Sequence, residues 1–362
     1  MYDMSYLLSE NQLKINIQKD LTTYLNYSLP LCAILTDDSL YPWFYQHFVQ
    51  LYTLTGEDGN LWVDYLEHRD FFKDIAENKM YDYKSLLEEK DIVKFIINKI
   101  NEGGYVIIYV DEYYLHKKAS YMSKHFLHQL MVYGYSNQTE TFMTVAFNEE
   151  NDFTSDEYTY ETLNQSYELG KKYYQSSPVW VLNETVEIIK LKQNINTYKF
   201  KLELFLEDLK LYLSGNGDYS MIRPNNLEAN GRQASFNFKV YDELSFNINN
   251  LIQGKKTMDF RYMHLLFEHK SIMYKRLEYI ASHFKASDTL MMLIKEYSKV
   301  EENALFARNL YIKYDALIEL KSVNKSNINK LLLNIIDTIS LIKEKELNIL
   351  TNIYDELKNL NI

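Results

Sequence analysis

The chain has 362 residues, 46% of them hydrophobic, and carries 39 basic against 50 acidic side chains for a net charge of −11. The length allows two domains or one large one with a full core, and the acidic balance disfavours nucleic acid as a partner. One cysteine, Cys32, excludes an internal disulfide and a Cys-based zinc or iron–sulfur centre and fits a reducing cytoplasm.

The charge is uneven. Residues 1–160 hold 12 Lys and Arg against 25 Asp and Glu, whereas residues 161–362 hold 27 against 25. An acidic first half attracts cations, protonated amines among them. No run of 18 apolar residues occurs, so no membrane span is expected. The N-terminal stretch "MYDMSYLLSENQLK" lacks a basic region followed by a long apolar one, so no secretory signal is expected either.

In chain order, "LYPWFYQHFVQLYTL" (40–54) reads as a helix, with Pro42 in a tolerated first turn. "YKSLLEEKDIVKFIINKINEGG" (83–104) reads as one or two helices that stop at Gly103–Gly104. "YVIIYVDEYYL" (105–115) suits a buried strand. "HQLMVYGY" (128–135) and "TFMTVAFNE" (141–149), joined by the polar "SNQTE", form a hairpin signal. From about residue 160 strand signals nearly vanish. Helical spacing is expected over 196–213, 259–284, 290–314 and 328–357, with Leu332, Ile335, Ile339, Ile342, Ile349, Ile353 and Leu357 on one stripe that Glu346 interrupts. "LSGNGDYSMIRPNNLEANGRQ" (213–233) reads as a lid or connection. The expected architecture is α+β: a domain over 1–160 with an antiparallel sheet, then an all-helical domain over 161–362.

Three strands over 105–111, 128–135 and 141–148, each antiparallel to the next, bring Asp111, His128 and Asn148 to one edge of the sheet. A cysteine nucleophile needs a base, and the base needs an orienting acceptor. Cys32, read as the start of a short helix after "SLP", would gain acidity from that helix terminus. The order Cys, His, Asn/Asp matches papain-like enzymes. Asn148 and Asp111 both remain open as the orienter, and His128 is preferred to His125 because it opens the alternating run. Asp111, Glu112 and Glu149 can hold a cationic amine, and Tyr113 and Tyr114 can line an acyl channel. In "HLLFEH" (264–269) the H-x-x-x-E-H spacing is not that of a metalloprotease, so a salt-bridged helix face is expected and no metal.

"VDEYYL" (110–115), "HFLHQLMVYGY" (125–135) and "YTYETLNQSYE" (158–168) resemble the N-terminal domain of the butirosin biosynthesis protein H family, itself similar to C39-type papain-like peptidases. "LLFEHKSIMYKRLEYI" (265–280) resembles the helical half of its longer members. Within this group the chain bears a closer resemblance to amide synthases of polythioamide (closthioamide-type) antibiotic assembly. The resemblance implies a papain-like cysteine domain that takes an acyl chain from a phosphopantetheine-bearing carrier protein onto Cys32, with His128 as base, and releases it to a small amine or diamine. It implies no cofactor. A C39-like peptidase and a non-enzymatic helical interaction protein are the alternatives.

Overall fold

The apolar run Tyr105–Asp111 forms a strand buried along its whole length, and a sheet extends from it on both sides. The computed structural model describes residues 8–56, 59–66, 69–86, 91–174, 181, 185–192, 198–222, 232–255, 258–319 and 324–360. The chain divides into two units, Met1–Tyr41 with Arg69–Thr197, and Pro42–His68 with Tyr198–Ile362. The boundary therefore does not fall at residue 160. Residues 42–68 pair with later segments, and the strand at 186–191 joins the first unit's sheet.

The first unit contains strands β1 (Glu10–Gln12), β4 (Ala76–Tyr81), β5 (Tyr105–Asp111), β6 (Leu127–Ser136), β7 (Thr141–Phe147), β8 (Phe153–Thr159) and β9 (Val186–Leu191). Their order is β4-β9-β5-β6-β7-β8, every pair antiparallel, with β1 also on β6. The hairpin read over 128–149 forms as expected. Its register shifts between Val132 and Gly134, where β1 runs alongside. A Cβ on Gly134 would meet the Asn11 carbonyl oxygen at 3.1 Å and the Met143 sulfur at 2.9 Å. The glycine in "VYGY" is thus a close-approach site between three strands.

Alternation along the strands sorts side chains between two faces. On one face, Ile107, Met131, Tyr133, Val145 and Ile189 pack with Leu25, Leu29, Cys32 and Ala33 of helix α1 (Leu25–Ile34). On the other, Val106, Ile108, Val110, Leu130 and Val132 pack with helix α4 (Ile92–Asn101) and helix α5 (Tyr160–Tyr174). Helices α2 (Tyr41–Gln46) and α3 (Tyr83–Leu86) are short.

The segment 40–54 is a helix only to Gln46. It then becomes β2 (Leu51–Thr55), which pairs with β3 (Leu61–Tyr65) and β10 (Gln233–Phe236) in a sheet of the second unit. Bonds from Gly56 N to the Asn60 carbonyl and from Gly59 N to the Gly56 carbonyl hold β2 and β3 together as a hairpin, and this outweighs aromatic spacing that also suits a helix. The second unit is therefore not all-helical. The lid expected over 213–233 lies partly outside the described residues.

The longer helices described in this unit are α6 (Leu202–Ser214), α7 (Val240–Ile252), α8 (Arg261–His283), α9 (Asp288–Glu319) and α10 (Lys325–Lys358). The α10 stripe is buried throughout, and so is the Glu346 that interrupts it. Its carboxylate accepts from Tyr212 of α6 at 3.0 Å, Tyr297 of α9 at 2.6 Å, Tyr241 of α7, and Lys270 of α8 at 3.0 Å. Lys270 also donates to His269 Nδ1 at 2.9 Å, and His269 Nε2 donates to the Val49 carbonyl at 2.7 Å. Burial pulls the Lys270 ammonium down to about 8, against the attraction of Glu346.

Breaking such a buried pair leaves an uncompensated charge, at a cost of about 3–5 kcal/mol. Glu346→Ala should lose roughly that much in urea unfolding followed by circular dichroism, at unchanged slope. The double variant Glu346→Leu with Lys270→Met should recover part of it. A single-variant loss below about 1 kcal/mol would mean that the network contributes no more than an ordinary contact.

Candidate active site

At the C-terminal end of β5 the chain reads Asp111-Glu112 and turns back through residues 115–126 into β6. Two histidines lie three residues apart on the returning arm. The register places Val110 opposite His128 and Asp111 opposite Leu127.

Asp111 is fully buried. Its Oδ2 lies 2.7 Å from His125 Nδ1, and its Oδ1 accepts the Tyr113 and Phe126 backbone N–H groups at 3.1 and 3.0 Å. Its main-chain oxygen accepts Ser166 Oγ of α5 at 2.7 Å. A Cβ on Gly170 would meet the Asp111 Cβ at 3.1 Å, so this glycine lets α5 come close. The His125 ring packs against Tyr113 at 4.3 Å and stacks on Tyr173 at 4.4 Å. Tyr114 makes an edge contact with Tyr113 at 5.1 Å. Both tyrosines expected to line a channel thus pack around His125.

Glu112 lies against the other histidine. Its Oε1 is 2.8 Å from His128 Nδ1, its side chain is 8% exposed, and that of His128 is 32% exposed. Burial opposes the carboxylate charge. The bond and charge of His128, the Lys118 ammonium and the Ser120 hydroxyl outweigh burial and hold Glu112 below the usual carboxylate range. Its Oε1 is thus engaged by a histidine.

Asn148 does not orient His128. Its Oδ1 caps its own turn, accepting Glu150 N at 3.0 Å and Asp152 N at 2.8 Å. Asp111 orients His125 instead. Glu149 is exposed beyond the end of β7.

Cys32 is not brought to either histidine. The helix starts at Leu25, so Cys32 lies in its last turn and not at its N-terminus. His128 shares the β5/β6 face of Val110 and Leu130, whereas Cys32 packs on the opposite face. The segment 13–19 shows which way α1 points. It runs from the Tyr133 carbonyl, bonded by Leu13 N, to the Phe153 carbonyl, bonded by Lys19 Nζ. Asn16 bonds the Cys32 and Leu35 carbonyls and Gln18 the Ser28 carbonyl, so α1 runs antiparallel to this segment. The Cys32 thiol lies against the Gln18 backbone N–H and near the Lys19 charge, on the α1 face of the sheet. Burial pushes the Cys32 thiol up to about 12, against a backbone bond from Gln18 and the charge of Lys19.

In "HLLFEH", His264 Nε2 lies 3.0 Å from Glu268 Oε1, and Arg308 donates to His264 Nδ1 at 2.7 Å. No group of three or more metal-ligating side chains occurs among the described residues. No helix among them is long and apolar enough to cross a membrane.

Reading the sequence missed the Glu112–His128 contact, the Asp111–His125 contact and Lys118. The usable signal was the doublet "DE" at a strand end followed by "HFLH", two carboxylates and two imidazoles arranged for two pairs. Compared with protein-family models the chain matches none, and no curated protein matches it.

The thiol chemistry can be checked directly. At about 12, the Cys32 thiol is ionised at neutral pH to roughly one part in 10⁵. The native protein should resist iodoacetamide at neutral pH and take up one carbamidomethyl group only after denaturation, read by intact mass. Rapid native labelling would show an accessible, acidic thiol and restore Cys32 as a candidate nucleophile.

Proposed function

We propose that the first unit is an amide-forming acyltransferase in which His128, oriented by Glu112, is the general base, and the acyl group passes directly from a carrier-bound thioester to a small amine. The observation that carries this reading is a partly exposed imidazole whose Nδ1 is held 2.8 Å from a buried carboxylate. With Glu112 ionised, Nδ1–H donates to it and Nε2 keeps its lone pair. The likeness of residues 110–135 to papain-like acyltransferases supports the substrate class, and the excess of acidic side chains over 1–160 favours a cationic amine.

The amine nitrogen attacks the thioester carbonyl carbon, and the N–C bond forms as Nε2 takes a proton from nitrogen. The C–S bond then breaks, and the imidazolium returns the proton to the departing thiolate. Aminolysis of a thioester is downhill, so no nucleotide is consumed. Glu112 stabilises the imidazolium and fixes the ring. Cys32, buried on the other face of the sheet, takes no part, so no acyl-enzyme forms.

The test supplies an acyl carrier-protein thioester and a diamine and follows amide by mass spectrometry. His128→Ala should lose about 10²–10⁴ in rate through loss of general-base help. Glu112→Gln should lose a substantial part of the same factor, and Cys32→Ala should turn over normally. A covalent acyl adduct on Cys32, or loss of activity in Cys32→Ala with the fold intact, would overturn direct transfer in favour of a thiol intermediate. Absence of amide product with any acyl carrier would overturn the activity itself.

A further inference from the structure

Lys118 is a buried lysine for which the acid–base chemistry described above gives no role. It is 3% exposed and lies on the turn after β5, held there by Lys118 N to the Leu115 carbonyl and Leu115 N to the Glu112 carbonyl. Its ammonium donates to the Phe147 carbonyl at the end of β7, two strands away from β5 with β6 between them. The strand in between carries His128. The carboxylates that hold the Lys118 charge are Glu112 and Asp156. Asp156 is separately paired with the more exposed Lys117 at 3.0 Å. Tyr158, next to Asp156 but one on β8, is buried, and its hydroxyl finds no hydrogen-bond partner. Burial raises that hydroxyl, and the charges of Asp156, Glu112 and Glu149 raise it further. The His116 ring lies 5.4 Å from the Tyr158 ring. The carboxylates that act on Lys118 are therefore two, Glu112, bonded to His128, and Asp156, paired with Lys117.

We propose that Lys118 is a positioning residue of this site: its buried ammonium, tied to the Phe147 carbonyl across the strand that carries His128, adds to the His128 bond in holding Glu112 as an anion and so fixes which imidazole nitrogen stays free. The inference rests on the acid–base reading of His128 and deepens it. A carboxyl buried without a counter-charge protonates. A neutral Glu112 can donate to Nδ1, and the imidazole then carries its hydrogen on Nε2, the nitrogen that has to accept a proton. Lys118 does not touch the reacting atoms; it acts through Glu112. Two electrostatic effects agree with this role. Glu112 stays below the usual carboxylate range despite burial, through the bond and charge of His128 first and then the charge of Lys118. Burial also draws Lys118 itself down to about 8, against the pull of the two carboxylates, so the charge that props up Glu112 is lost in mildly alkaline solution.

The experiment uses the full chain, uniformly ¹³C/¹⁵N-labelled, and follows the Glu112 carboxyl carbon, assigned by its loss in Glu112→Gln. In the wild type this carbon should show two inflections. One, below the usual carboxylate range, is its own. A second, with the midpoint of the Lys118 ammonium near 8, reports the neighbour's loss of charge. In Lys118→Met the first inflection should move to higher pH and the second should vanish. Lys117→Met, which removes a nearby charge matched to Asp156, should leave both unchanged. The wild-type titration decides the matter even where Lys118→Met does not fold. An absent second inflection, or an unmoved first one in folded Lys118→Met, overturns the proposal. If Glu112 follows Lys118 but no amide is formed with any acyl carrier, the positioning stands and the acyltransferase reading falls.

Discussion

The pairing of β5 with β6 decides what the first unit can do. Val110 lies opposite His128, and Asp111 opposite Leu127. Because side chains alternate, a slip of one residue would turn His128 toward α1 and bury it among Met131 and Ile107. The register is pinned at the end of β5 by Asp111, whose carboxylate bonds the Tyr113 and Phe126 N–H groups and His125, while the other six of its seven buried positions are aliphatic or aromatic. It is pinned again by the bulge at Val132 and Gly134, which lets β1 lie alongside the far end of β6. Beyond Asp111 the chain cannot continue as a strand and also return to Leu127. The turn that follows brings two adjacent acids and two nearby histidines together.

Much of this was legible in the sequence. The runs 105–111, 128–135 and 141–147 carry their own strand signals, and "SNQTE" announces the hairpin. The buried stripe of α10 was also readable, since apolar residues that keep helical spacing along most of a 34-residue segment mark a packed helix face. The distant partners of β2 and β9 were not readable. "LYTLT" finds its mates at 61–65 and 233–236, and "VEIIKL" at 76–81 and 105–108. The pairings of 51–55 with 233–236 and of 186–191 with 76–81 and 105–108 span separations that leave no local trace, whereas 51–55 and 61–65 form a local hairpin. The site was half legible: His128 and the doublet Asp111-Glu112 stood out, but their pairing depends on side-chain direction at the strand end, where the regular alternation stops.

Cys32 shows how a correct element can misplace a residue. A helix near "SLPLC" was expected and exists, but it begins at Leu25, and nine of its ten residues are buried. A helix so uniformly apolar gives no phase from which to read its start. Moving the start by about two turns changes the thiol from one acidified by a helix terminus into one raised by desolvation. The uniqueness of the cysteine carried no chemical information, because a lone small apolar-like side chain in a packed helix is ordinary core.

The two units contain similar chemistry in different surroundings, and the difference separates architecture from reactivity. In the second unit Glu346, Lys270, His269 and three tyrosine hydroxyls form a network in which Glu346, Lys270 and His269 are fully buried. The Glu346 carboxylate joins four helices and His269 ties one of them to the Val49 carbonyl, so the arrangement fixes helix register and leaves no edge for a substrate. In the first unit each carboxylate is buried, yet each histidine keeps about a third of its side chain exposed. His125 and His128 differ again. His125 has an aromatic ring on each side, from Tyr113 and Tyr173, and its Asp111 is saturated by two backbone donors. His128 meets the Phe126 ring at 5.0 Å and faces a carboxylate whose charge depends on neighbours. Both rings are held at Nδ1 by a carboxylate, and the packing of His125 against two tyrosine rings is what favours His128 as the base of the proposed reaction.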